Sequence, residues 1–361
     1  MEENKKANFR GFKIFIMVFL ILSIFLLREE NQDKLLRFLN SMGGKEKFLK
    51  LVDSFDRVND IEDINIYDNT IVKWENNKIT FMKIDGTLIL EKEFNFTQPF
   101  IYYGDKNIYV MDKSAGDVYS FNSKGETIDR LQIGNEIFNL KESHDNLIYH
   151  IKNSPEESIK ILDKDRVVIG NYSYEDKNIL TYATNKGGTE SAISLLSLNE
   201  GSLKSQVESY GENKEKLNSL DIEGEIVVYL DFVSKDEIIA LSDSSLYLIK
   251  SGKIMWKKQF DLIKDIYLGE NKINVLYSNY LESIDFSGRT ENKTSFSEEY
   301  KKILPFEGMF LLYGDNNITI LQEGKEILKH EESIVKVSTD KDKILLWTPE
   351  EIKIYKMSNK K

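Results

Sequence analysis

Residues 228–260 read VYLDFVS, KDEIIALSD, SSLYLIK and SGKIMWKKQF, four short runs rich in β-branched and aromatic residues with polar turn residues between them. The same order returns at residues 263–296 (IKDIYLGE, NKINVLYSN, YLESIDFS, GRTENKTSF) and at 301–332 (KKILPFE, GMFLLYGD, NNITILQE, GKEILKHEE). A final copy at 334–357 (IVKVSTDK, DKILLWTP, EEIKIYKM) supplies three runs and stops. Each full copy has a polar turn before its second run, another before its third, and Gly-Lys or Gly-Arg opening its fourth. Within the runs, Ser245-Leu246-Tyr247-Leu248-Ile249 and Ile352-Lys353-Ile354-Tyr355 alternate as half-buried strands do.

The N-terminal half repeats less cleanly but in the same order, with units at 61–94 and 100–133, a third from Ile137 to about Tyr172, and a stretched one over 179–224. A four-stranded unit recurring every ~35 to 40 residues predicts an all-β fold, a β-propeller of about eight four-stranded blades, with seven if the stretched unit is not a full blade. A pair of β-sandwiches also has regular short strands, but gives no reason for turn, strand, Gly-Lys and strand to recur in fixed register. The incomplete last copy calls for an N-terminal strand to complete it. Residues 48–58 are the candidate, in a pattern that fits a helix or a strand equally.

Upstream of the repeat lies one lipid-soluble run, Ile14-Phe15-Ile16-Met17-Val18-Phe19-Leu20-Ile21-Leu22-Ser23-Ile24-Phe25-Leu26-Leu27, bracketed by Lys13 and Arg28. A helix of ~14 to 17 residues approaches the ~30 Å hydrocarbon core if both cations snorkel to the interfaces. Lys5, Lys6, Arg10 and Lys13 precede it, whereas Glu29, Glu30 and Asp33 balance the far side, so the positive-inside rule keeps the N-terminus cytoplasmic and exports the rest. The segment after Leu27 lacks the small residues of a cleavage site, and an uncleaved signal anchor is expected over a cleaved signal peptide. The sequence thus divides into a cytoplasmic head (1–13), a transmembrane anchor (14–28), a stalk (29–60), a propeller (61–358) and a tail (359–361). The expected location is the cell membrane, single-pass, with the propeller extracytoplasmic.

Residues 29–361 carry 44 basic and 58 acidic side chains, dispersed along the chain. Phosphate binding needs a basic surface, so nucleic acid is not an expected partner. There is no cysteine, which excludes disulfides, thiol catalysis and cysteine zinc sites.

Ser251-Gly252-Lys253-Ile254-Met255-Trp256 resembles the G-K-x-x-W fourth-strand signature of quinoprotein-like propellers, the superfamily of PQQ alcohol dehydrogenases and the scaffold of the outer-membrane barrel-insertion machinery. Asp85-Gly86-Thr87-Leu88-Ile89-Leu90 and Glu323-Gly324-Lys325-Glu326-Ile327-Leu328 look like copies that have lost the aromatic. With the single apolar run, the chain resembles, over residues 10–358, Gram-positive single-pass membrane proteins of the domain-of-unknown-function 5711 family. The resemblance implies a propeller and a topology, and no activity.

Chemistry is sparse. A PQQ enzyme stacks its cofactor on a tryptophan and binds Ca²⁺ beside it. Here Trp74 and Trp347 fall in second strands and Trp256 in a fourth, where blades pack on one another. His144, His150 and His330 are too scattered for a zinc cluster. No G-x-S-x-G, Walker loop or H-E-x-x-H is present, and Gly187-Gly188 reads as a hairpin turn. Asp105, Asp112, Asp236, Asp243 and Asp315 recur at turns, where Asp caps the backbone; a glycosidase-type pair among them is the enzymatic alternative. No cofactor, metal or catalytic residue is expected. The longest interruption of the repeat, residues 199–225, reads as a solvated loop or an outer strand plus connector, with a recognition insertion as the alternative; Tyr172, Tyr174, Tyr182 and Tyr210 suit partner contact, Tyr182 and Tyr210 foremost, or blade packing equally. The reading is a non-enzymatic, membrane-anchored scaffold or sensor with an envelope protein as its expected partner; the alternative is a propeller binding or acting on carbohydrate or a quinone cofactor.

Overall fold

The computed structural model describes residues 47–56, 61–153, 155–199 and 201–359. The apolar run at 14–27, the head expected to be cytoplasmic (1–13), most of the expected stalk and the last two residues lie outside them. No helix among the described residues is long and apolar enough to cross a membrane.

Residues 48–358 form one compact unit built of eight four-stranded antiparallel sheets. Blades 1 to 7 are continuous in sequence: 61–93, 99–132, 137–175, 178–223, 227–259, 263–295 and 302–331. Blade 8 takes three strands from 336–359 and its fourth from Lys47–Asp56, which lies beside the last strand of the chain, Glu351–Asn359. The eight-bladed reading is borne out, and residues 47–56 are the strand that completes the last blade.

The burial of each strand follows its rank in the blade. In blade 5 the second and third strands, Glu237–Ser242 and Ser245–Lys250, are almost wholly buried, because both faces of the sheet lie against neighbouring blades. The fourth, Lys253–Gln259, is exposed or half-buried throughout. First strands of adjacent blades contact one another, so they form the inner ring and the fourth strands the circumference. Ion pairs tie this inner ring: Lys302 to Asp265 at 3.2 Å, with Asp265 also accepting from the Ile303 amide at 2.8 Å, and Lys336 to Asp63 where blade 8 meets blade 1.

Strand direction gives the disc two different faces. Hairpins joining strands 1–2 and 3–4 lie on one, here the hairpin face; the 2–3 hairpins and the connections between blades lie on the other, the connection face. The 3–4 hairpins show why a glycine opens the fourth strand in blades 1, 2, 5, 6 and 7. At Gly288 φ is +85°, its amide donates to the Asp285 carbonyl at 2.9 Å, and Asp285 Oδ1 accepts from the amides of Ser287 and Arg289. The left-handed residue and the register shift at Ser283/Ile284 make a type I turn with a bulge.

That turn is also a docking point. A Cβ on Gly288 would lie 3.0 Å from the ring of Trp256, whose indole N–H donates to the Phe286 carbonyl at 3.0 Å. Trp256 stands four residues after the left-handed Gly252 of its own blade. The same register position supplies Leu90 against Gly125, Asn218 against Gly252 and Asn292 against Gly324, and Phe55 of the closing strand takes it against Gly86. Between blades 2 and 3 an ion pair does the same work, Asp129 with Arg166 at 3.1 Å. The G-K-x-x-W stretch is therefore the most aromatic copy of a general blade-to-blade contact. Trp256→Ala is expected to cost about 3 kcal/mol, read as a lower urea midpoint; a shift below about 0.5 kcal/mol, the scale of ordinary surface substitutions, would remove this contact from the account of blade packing.

Residues 199–225 hold no insertion. Ser202–Tyr210 and Lys216–Glu223 are the third and fourth strands of blade 4, paired in register from Lys204↔Glu223 to Ser209↔Asn218. The polar side chains that suggested a loop occupy the exposed positions of an outer strand.

Candidate functional site at the connection face

The residues first suspected of chemistry do not converge. Asp105 and Asp236 lie in 1–2 hairpins on the hairpin face, whereas Asp112, Asp243 and Asp315 lie at 2–3 hairpins on the connection face. These last three share one task. Asp112 accepts from the amides of Thr97 and Gln98, Asp243 from that of Ile226 at 2.9 Å, and Asp315 pairs with Lys301 at 2.6 Å, each fastening the connection that leads into its own blade.

Each histidine has a separate place. His150 is buried against Glu157 at 3.2 Å; burial pushes its imidazole below the usual range, against the pull of Glu157. Glu157 also accepts from the Ile179 amide, joining blade 3 to blade 4. His330 sits on Glu332 at 3.0 Å, and His144 occupies a left-handed turn position. Among the described residues no group of three His, Cys, Asp or Glu is placed to hold a metal ion. The tryptophans do not fit a quinone platform: Trp74 is buried with its indole donating to Glu62 at 3.2 Å, Trp347 is buried beside Ile352 and Ile354, and Trp256 is docked on Gly288.

Tyr182 and Tyr210, expected as contact anchors, are buried, at 3% and 7% exposure. Tyr182 belongs to the inner strand of blade 4, where its carbonyl accepts from Lys141 Nζ at 3.1 Å. Burial lowers the Lys141 ammonium, opposed by Asp231 and Asp105. Tyr210 stacks on Tyr172 with ring centroids 4.3 Å apart, and its hydroxyl meets Glu208 and the Tyr174 hydroxyl. This cluster joins blade 3 to blade 4. Strand alternation turns these rings into the seam between sheets, so they serve packing.

The exposed apolar residues of the connection face stand elsewhere. First strands begin on this face at the inner ring, so their opening residues surround the central mouth. Phe138, Val228, Leu262 and Val335 hold those positions in blades 3, 5, 6 and 8, each about half exposed or more. Phe138 and Val228 are the extra residues at register shifts between Ile137 and Asn139 and between Val227 and Tyr229, and a bulge re-aims a side chain out of the sheet. Lys113 Nζ lies 5.1 Å from the Phe100 ring and 5.6 Å from that of Phe138, and Lys152 lies 5.3 Å from Phe138, a cation–aromatic layer across blades 2 and 3.

Buried carboxylates hold this face rigid. Glu225, in the connection before blade 5, accepts from Lys257 at 2.6 Å, from the Tyr247 hydroxyl at 2.7 Å, and from Ser242 and Ser245. Burial opposes its ionisation, but Lys257 and the Ser242 and Tyr247 hydroxyls outweigh burial and hold the carboxyl at about 2. Glu332 has the same place before blade 8, with Lys353, His330 and Tyr355. A preformed surface of half-exposed apolar groups with cations at one side is suited to binding a macromolecule.

Comparison with solved structures shows the fold. BamB from Moraxella catarrhalis matches with a TM-score of 0.56 at 10% identity, covering 86% of this chain and all of its own. The C-terminal WD40 domain of Sif2 matches at 0.64 and 12% identity over 87% and 99% of the two chains. Sqt1 of Saccharomyces cerevisiae matches at 0.61 and 10% over 86% and 100%. A search among curated proteins finds no match. The family of unknown function DUF5711 matches residues 48–357, the entire ring, and the chain belongs to that family.

Proposed function

We propose that this protein is a membrane-tethered, extracytoplasmic scaffold whose ring binds an envelope protein on its connection face. The observation that carries the proposal is the set of exposed apolar residues around the mouth, Phe138, Val228, Leu262 and Val335, on a platform fastened by buried carboxylates. Rigid apolar groups exposed in a cluster and flanked by cations are the usual anchors of protein recognition. The tether rests on the run at 14–27 and the basic head before it.

The test is crosslinking from the connection face in the native cell, with Val228 or Leu262 replaced by a photoreactive residue. An envelope protein is expected in the crosslinked product, and Phe138→Glu is expected to reduce its recovery at least tenfold, about 1.4 kcal/mol of binding, while thermal unfolding stays unchanged. Recovery equal to that from a site on the opposite face would sink the scaffold reading.

A further inference from the structure

We propose that the hairpin face lies on a lipid bilayer surface, contacting it through an arc of apolar side chains on the outer strands of blades 1 to 5; this rests on the tether reading above. The arc is a register feature. Three residues after the left-handed turn residue, as the unpaired residue of the bulge where each outer strand leaves the hairpin face, stand Ile89 in blade 1, Ile128 in blade 2, Ile169 in blade 3, Leu217 in blade 4 and Met255 in blade 5. Ile89, Ile128, Leu217 and Met255 are exposed at 40% to 57%, and Ile169 is half-buried. Blade 6 breaks the series with the exposed Glu291, and in blade 7 the position is Ile327, half-buried against the core shared by blades 7 and 8.

Single exposed apolar residues are ordinary on any protein surface. The same register position, apolar in five consecutive blades, is different, because equal register in radial sheets means equal height along the ring axis. The five side chains are therefore coplanar and spread over more than half the circumference. A groove-bound peptide would follow one seam between blades, whereas a plane of this breadth matches a membrane surface.

Chain direction supports the same side. Fourth strands run from the hairpin face to the connection face, so Lys47, at the start of the fourth strand of blade 8, joins the ring on the hairpin face. Leu51 and Val52 of that strand are exposed beside the arc. Nineteen residues without Cys, Gly-rich repeats or a second apolar run of comparable length separate Leu27 from that strand, Arg28 to Glu46. Such a link keeps the ring at high effective concentration next to the bilayer, where weak apolar contacts are enough to orient it. The arc then turns the connection face, with its partner-binding residues, away from the membrane.

The absence of cysteine makes the test direct. In the full chain reconstituted in phosphatidylcholine–phosphatidylglycerol vesicles, single variants Ile89→Cys, Ile128→Cys and Leu217→Cys carry an environment-sensitive fluorophore, with Leu262→Cys and Val335→Cys on the connection face for comparison. The three arc labels are expected to be quenched by headgroup nitroxide lipids at least threefold more than the other two. Equal quenching on both faces, in chain that resists alkaline extraction, overturns the inference and leaves the tether standing. Extraction of the chain itself overturns the tether, and the inference with it. Blue-shifted arc labels without nitroxide quenching would assign the arc to contact between copies and overturn lipid contact.

Discussion

Deleting residues 47–56 is expected to destabilise the ring by on the order of 5 kcal/mol, comparable to the net stability of a whole domain, and to lower Tm by roughly 10 °C or more. The strand gives blade 8 its outer edge, covers the backbone of Glu351–Asn359, and brings Leu49 against the core shared by blades 7 and 8. It also carries Phe55 to Gly86 of blade 1, the contact that closes the circle. Without it, blade 8 exposes an unpaired strand edge, so the truncated chain should aggregate as well as melt early. Circular dichroism melting and light scattering would measure both. A Tm within about 2 °C of the intact chain, a shift of no more than about 1 kcal/mol, would mean that the ring is closed by the inner strands alone.

Glu225→Ala is expected to cost about 3 to 5 kcal/mol, because removing the carboxylate leaves Lys257 and the Tyr247, Ser242 and Ser245 hydroxyls without their shared acceptor. Lys257→Met added to Glu225→Ala should recover part of that loss, since the stranded cation is then gone. The pH dependence follows from the sign of the shift. Glu225 ordinarily titrates near 4.5 and is held at about 2 in the fold, so the unfolded chain binds a proton first and the stabilisation is complete above about 4.5. It is lost as pH falls from there toward 2. Urea midpoints between pH 5 and pH 2 should therefore fall less steeply in the Glu225→Ala variant than in the intact protein. Parallel slopes would show that this carboxylate is not what the acid limb reports.

Both variants act on features that differ in how far they could be read from the chain. The eight blades were legible because strand alternation, Gly-opened turns and their spacing are local, each set by a few adjacent residues. Position 256 stood out for the same reason, being an aromatic at a fixed distance from a turn glycine. The stretch 199–225 stayed open between a loop, an outer strand and an insertion because all three share a polar composition; only pairing with Ser202–Tyr210 shows the outer strand. Tyr182 and Tyr210 stayed open between partner contact and packing because an aromatic on a strand suits a surface or a seam equally; their burial puts them in the seam.

The sequence by itself determined the repeat, the β-propeller class and the expectation of a membrane tether at residues 14–27. Only the tertiary structure decided that residues 47–56 close the ring, that Glu225 joins strands reaching Lys257, and that bulges lift Phe138 and Val228 onto the mouth. The division has one physical cause. Turns and alternation are written in neighbouring residues, whereas ring closure, buried charge networks and exposure depend on the register of strands that meet only once the sheets have packed.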